Sequence, residues 1–235
     1  MCKYKNYFHN SDTEQDIFKH QRFQIAQLKN ISNLANSFMA TKGNIVTVTI
    51  SIRNMLCNCC TNLIRDELTK NDVEVEDIEL GKATISFDKT VISLDDINIL
   101  LENLGFGIIV SRDLKIVESI KRTVFDLIHN MNNVDSVVRK SEYLVEMLGY
   151  SYQYLSKLFS KYEKITLERY IILNKIERIK ELILQDEYTF SEIAYMMDYS
   201  SVQYLSSQFK KETGYSVTEY KKLGLNLKKP LEKLY

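Results

Sequence analysis

The chain has 235 residues, 45% hydrophobic and 26% charged, which is ordinary globular material long enough for two small domains. Its 31 Lys+Arg balance 31 Asp+Glu, and zero net charge argues by itself against a nucleic-acid partner. The charge is unevenly spread, however: residues 44–110 hold 5 Lys+Arg against 11 Asp+Glu, net −6, and residues 111–235 hold 20 against 17, net +3.

No run of about eighteen apolar residues is present, and the first thirty residues or so lack the apolar core of a signal peptide. A cytoplasmic protein with no membrane partner is expected. Three of the four cysteines fall within residues 57–60, which suits a reducing compartment and a metal or redox site better than a disulfide framework.

Residues 1–43 read as an N-terminal extension, poorly ordered or weakly helical. Polar residues dominate to Asp16; Ile17, Phe18, Phe23, Ile25, Leu28, Ile31 and Leu34 then recur loosely. Cys2, His9 and His20 in such a tail read as solvent-exposed filler, and Met39 is an alternative start.

From Asn44 the texture changes to alternation. Ile45, Val48, Ile50 and Ile52 mark a strand, and Cys60 to Lys70 a helix with Leu63, Ile64 and Leu68 inward. Val73 to Leu80 and Ala83 to Phe87 are two strands around Gly81-Lys82. Ser93 caps a second helix with Asp96 three residues on, Ile97, Leu100, Leu101 and Leu104 are its buried stripe, and Gly105 stops it. Phe106 to Val110 closes as a fourth strand. Residues 44–110 are thus expected to be a βαββαβ unit, an α+β ferredoxin-like domain.

Between its first strand and helix lies Met55-Leu56-Cys57-Asn58-Cys59-Cys60. Thiols at Cys-x-x-Cys spacing running into a helix N-terminus can converge on one ion, and the helix dipole is expected to lower their pKa values toward the thiolate. Soft thiolates select soft, low-coordinate ions such as Cu(I). With the βαββαβ order, this segment resembles the heavy-metal-associated domains of copper chaperones and copper-pumping ATPases, whose Met-x-Cys-x-x-Cys motif falls on Met55, Cys57 and Cys60. The resemblance implies Cys57 and Cys60 as metal ligands, Met55 packed beneath the loop and Phe106 near the site. Zinc-handling relatives tend to carry an acid where Leu56 stands, which favours Cu(I). The sequence departs from the family at Asn54, where Gly is usual, and at Cys59, an extra thiol that would make a third ligand and favour another thiophilic ion. A domain kept for folding or dimerisation, with the cysteines as small loop residues, stays open. A thioredoxin-like dithiol does not fit, because such folds place a cis-proline beside it and the sole proline is Pro230.

Ser111 to about Asn130 reads as one helix with Val117, Ile120, Val124 and Leu127 inward and no Gly- or Pro-rich linker before it, so the two halves are expected to be coupled. Beyond it the chain repeats. Thr189 to Lys211 reads as two short helices joined by a tight turn, with Ile193, Ala194 and Met197 on one buried face and Val202, Leu205 and Phe209 on the other. About fifty residues earlier, Leu144, Val145, Leu148, Tyr150, Leu155 and Phe159 take the same roles, and both copies contain Tyr-Leu-Ser-x-x-Phe, at Tyr154 to Phe159 and Tyr204 to Phe209. Thr166 to about Leu184 lacks Gly and Pro and carries an apolar stripe. Nineteen helical residues span about 28 Å, of the order of the ~34 Å repeat of DNA once flanking helices are counted.

Residues 117 to 223 resemble the DNA-binding domain of AraC/XylS-type transcriptional regulators. Carrying it are the paired helix-turn-helix units, the connecting helix with Tyr170, Lys175 and Ile176 where the family has Tyr, Arg and Leu, and the ending Phe209-Lys210-Lys211-Glu212-Thr213-Gly214. Asp198-Tyr199 stands for the usual Gly-Phe and Ser216-Val217 for Thr-Pro. The likeness implies an all-α double helix-turn-helix domain over 111–225, followed by a basic tail, 226–235. Base contacts are expected from Tyr152, Gln153, Ser156 and Lys157 in the first unit and from Gln203, Ser206, Ser207 and Lys210 in the second, with Lys161 and Lys211 on phosphate.

Together these features point to a regulator that binds double-stranded DNA, self-associates as a homodimer in one version, and responds to Cu(I) or a similar ion at Cys57 and Cys60, with Cys59 as an additional candidate. Two alternatives remain: a regulator whose front domain is a metal-free dimerisation unit, and a copper carrier or buffer. An enzyme is not expected, since His9, His20 and His129 are scattered and no phosphate-cradling Gly-rich loop is present.

Overall fold

The computed structural model describes residues 40–42, 44–129 and 140–224. The weak helix expected before residue 39, with Cys2, His9 and His20, and the basic tail lie outside the described residues. The chain divides into two units, Met1–Ser119 and Ile120–Tyr235. The division falls inside helix α3 (Arg112–His129).

The first unit is a single sheet with two helices: β1 (Ala40–Lys42), β2 (Ile45–Ile52), α1 (Asn58–Lys70), β3 (Glu74–Glu79), β4 (Lys82–Asp88), α2 (Leu94–Asn103) and β5 (Ile108–Ile109). Antiparallel pairing runs β3–β4–β2, and β1 and β5 share the far edge of β2 at opposite ends of it. β1 is a short strand within residues 1–43, where the sequence alone points to a poorly ordered or weakly helical extension. The register sets Val46 opposite Phe87, Val48 opposite Ile85 and Ile50 opposite Ala83. Since side chains alternate along a strand, those residues form one apolar face, on which Ile64 and Leu68 of α1 and Ile97 and Leu101 of α2 pack. The phase of β2 differs by one residue from expectation at its start: Val46 is buried and Ile45 is 52% exposed. The opposite face is hydroxylic, with Thr47 Oγ1 2.6 Å from Ser86 Oγ and Thr49 Oγ1 3.0 Å from Thr84 Oγ1. α2 begins with the expected capping box, Asp96 N donating to Ser93 Oγ and Ser93 N to Asp96 Oδ2, each at 3.1 Å.

The second unit is helical: the C-terminal part of α3, then α4 (Lys140–Leu148), α5 (Tyr152–Tyr162), α6 (Leu167–Gln185), α7 (Phe190–Met196), α8 (Val202–Thr213) and α9 (Val217–Leu223). α6 is the axis. α5, α7, α8 and α9 all pack on it. Tyr170, Ile176, Ile179 and Leu182 of α6 are buried, as their spacing requires. Among the described residues no helix is long and apolar enough to cross a membrane.

Candidate nucleic-acid interface and thiol cluster

The two helix-turn-helix units are α4–α5 and α7–α8. In each, a left-handed residue ends the first helix: Gly149 at φ +71° and Asp198 at φ +56°. The aspartate adopts the conformation for which glycine is commoner. Ser151 and Ser201 then cap the second helices, each hydroxyl accepting from the backbone N–H three residues on, at 3.3 and 3.1 Å. Leu155 and Phe159 of α5, and Leu205 and Phe209 of α8, are buried. Fixing those faces inward leaves Gln153, Lys157 and Lys161 of α5, and Gln203, Ser207, Lys210 and Lys211 of α8, exposed, with Ser156 and Ser206 half-buried beside them. Spacing of three and four residues puts each group on one helical face, and neither α5 nor α8 has an acid before its last turn.

Two residues depart from expectation. Tyr152 is half-buried and its hydroxyl donates to Glu168 Oε1 at 2.8 Å; burial and then that bond push its pKa well above the usual phenol range. It braces α5 against α6. Val145, expected in the buried stripe of α4, is 37% exposed. Sequence reasoning also missed Tyr154 and Tyr204, which are 40% and 57% exposed on the polar faces. Their rings lean on Tyr150 and Tyr199, with centroids 5.2 and 5.7 Å apart. The shared Tyr-Leu-Ser motif contained that signal.

Charged side chains lock α8 and its turn to α6. Arg169 makes a two-pronged contact with Glu212, Nη2 to Oε2 at 2.5 Å, and the carboxylate is almost wholly buried. Lys175 Nζ donates to the Met197 carbonyl at the end of α7 and lies 5.1 Å from the centre of the Tyr199 ring. In the other helix-turn-helix unit, Lys121 of α3 pairs with Glu163 after α5 at 2.6 Å.

In the first unit the β2–α1 loop carries Cys57, Cys59 and Cys60. Their sulfurs all lie within 4.8 Å of one another, with Cys57 Sγ 2.6 Å from Cys59 Sγ and 3.3 Å from Cys60 Sγ. Helix α1 starts at Asn58, two residues earlier than expected, so Cys57 is its N-cap. The expected lowering does not occur at Cys60: the sulfur hydrogen bond from Cys57 and burial push its thiol upward, outweighing the backbone N–H groups. Met55 is fully buried beneath the loop. Asn54, standing where heavy-metal-associated domains have Gly, adopts φ +64°. Its side-chain amide donates to the Gly105 carbonyl and its backbone N–H to Glu118 Oε2, both at 2.8 Å. Three convergent thiols are a soft donor set, which fits Cu(I) or a similarly thiophilic ion.

Residues 144–223 match the family model described as a helix-turn-helix domain. They form an AraC-type helix-turn-helix domain. That domain supports a DNA-binding transcriptional regulator rather than an enzyme. Among solved structures, the chain is similar to a DNA-binding transcriptional dual regulator from Escherichia coli K-12, at 21% identity and a TM-score of 0.38, covering 45% of this chain and 91% of that one. It is also similar to the C-terminal domain of AraT, a response regulator from Geobacillus stearothermophilus, at 26% identity and a TM-score of 0.39, covering 48% and 88%. The helix-turn-helix match, and not these low overall superpositions, supports the function. Two uncharacterized proteins of Haemophilus influenzae are each 34% identical over 62 residues, 26% of this chain and 91% of each relative. That places a segment of the chain in their family, whose names state no function.

Proposed function

We propose that this AraC-type regulator reads double-stranded DNA with α5 and α8, each lying in the major groove, and that its N-terminal sheet domain is a ferredoxin-like, heavy-metal-associated unit. The observation that supports DNA reading best is the pair of acid-free, exposed polar faces set on equivalent helices. Gln153 and Gln203 suit adenine, Lys157 and Lys210 suit guanine, and Ser156, Ser206 and Ser207 accept either. Tyr154 and Tyr204 add apolar contact beside them, and Lys161 and Lys211 neutralise phosphates. Tyr152 serves as a brace.

For the first unit, the strand order β3–β4–β2–β5 supports the split βαβ reading. Cys57 and Cys60 hold Cu(I) or a similar ion, and its binding changes affinity for DNA in the cytoplasm, where thiols stay reduced. Self-association as a homodimer is compatible with this role. The test is Cu(I) titration under anaerobic reducing conditions against a chromophoric chelator, wild type beside Cys57→Ser/Cys60→Ser, with DNA affinity followed in the same samples. One-to-one binding that vanishes in the double variant, with a parallel change in DNA affinity, supports a metal-responsive regulator. Equal, weak competition by both proteins would leave the regulator with a front domain of another kind.

A further inference from the structure

Resting on Cys57 and Cys60 as a metal-binding pair, we propose that Cys59 is a third ligand, which makes the β2–α1 loop a three-thiolate site for a trigonal thiophilic ion. The Cys-x-x-Cys pair alone would make a two-coordinate site. Here the third sulfur is already inside it: Cys59 Sγ is closer to Cys57 Sγ, at 2.6 Å, than Cys60 Sγ is, at 3.3 Å, and no pair is more than 4.8 Å apart. With metal–sulfur bonds of about 2.3 Å, a trigonal ion needs its sulfurs about 4.0 Å apart, within the 4.8 Å that bounds these three.

The loop is anchored on both sides of the thiols. Before them, Met55 is fully buried and Asn54 is held by Gly105 and Glu118; after them, Ile64 is buried in the sheet core. All three cysteines are only half-buried, so a small ion reaches them without opening the core. α1 brings no acid in its first turn to compete with thiolate charge.

Trivalent arsenic distinguishes two ligands from three. Arsenous acid exchanges each hydroxyl for a thiol sulfur, forming one As–S bond and releasing one water per thiol, with arsenic remaining at +3. Three thiols therefore release three waters and leave no hydroxyl, whereas two thiols leave one hydroxyl on arsenic. The full reduced chain is titrated anaerobically with Cu(I) and, separately, with arsenite, and the adducts are weighed by native mass spectrometry. Wild type is compared with Cys59→Ser and with Cys57→Ser/Cys60→Ser, and matching urea midpoints establish that each variant is folded.

Wild type is expected to bind one arsenic with loss of three waters. Cys59→Ser is expected to keep Cu(I) but to bind arsenite at least about tenfold more weakly, and the double variant to lose both. An arsenic adduct that retains a hydroxyl in wild type, or equal arsenite affinity in Cys59→Ser, would overturn the third ligand and leave the Cys57–Cys60 pair standing. Cu(I) held equally by the double variant would overturn the pair itself.

Discussion

The Phe209 ring meets the Tyr220 ring edge-on with centroids 5.3 Å apart, and fifty residues earlier Phe159 meets Tyr170 at 5.1 Å. In each case the Phe belongs to the second helix of a helix-turn-helix unit, and the Tyr sits four residues past the N-cap of the next helix, Ser216 or Thr166. The repeat therefore includes the clamp that holds the second helix of each unit to its successor. All four rings are buried. Phe209→Ala is expected to cost about 3–5 kcal/mol through lost contacts and the cavity left behind, and Phe159→Ala a similar amount. Urea unfolding measures both, and DNA binding should weaken with each.

Arg169 fixes α8 to α6 through Glu212. Because the guanidinium is 43% exposed, the pair is worth less than a buried one. Its loss nonetheless leaves a nearly buried carboxylate without its charged partner, so Arg169→Ala should cost on the order of 1–2 kcal/mol. Arg169→Ala/Glu212→Gln should recover part of that. A double-mutant cycle by urea unfolding checks the coupling.

Lys175 occupies a position where the AraC family carries Arg, and its ammonium serves the Met197 carbonyl at the turn. Lys175→Met keeps the stem but removes the donor, and should cost about 1–3 kcal/mol. Amide exchange of Tyr199, whose N–H bonds the Ala194 carbonyl at 2.8 Å, should accelerate in step. Lys175→Arg should behave as wild type.

Tyr199 sets an alkaline limit. Its hydroxyl finds no hydrogen-bond partner among the described residues, and burial first, then the charges of Tyr204 and Glu212, push its pKa up to about 12 from the ordinary 10.0. The folded state thus holds this proton more tightly than the unfolded state. That contribution is complete below pH 10 and is lost as pH rises toward 12. Urea midpoints measured across that window should fall less steeply for Tyr199→Phe than for wild type.

Much of this was legible in the sequence because burial imposes a period. The α6 stripe, the cap at Ser93 and the left-handed turn at Asp198 follow from local rules that one sequence states directly. β1 was not legible: three residues that pair with Ile45–Thr47 carry no alternation of their own. The one-residue error at Ile45 arose where Ile45 and Val46 are both apolar and the partner strand decides which is inward. Contacts set by tertiary approach, such as Arg169–Glu212 across 43 residues and Glu118–Asn54 across 64, leave no periodic trace. Tyr154 and Tyr204 were visible as a repeat, but their exposure depended on where Phe159 and Phe209 were anchored. The expected thiolate at Cys60 failed for a related reason, since the helix N-terminus was apparent and the neighbouring sulfur's proximity was not.

The most direct measurement is binding of wild type, Gln153→Ala and Gln203→Ala to duplexes first selected from a random pool by the wild-type chain. Each variant should lose about 1–3 kcal/mol per abolished bidentate base contact. Each should also relax preference at its own short segment, with the two segments about one helical turn, 10 bp, apart. Unchanged affinity and unchanged preference in both variants would contradict reading by α5 and α8.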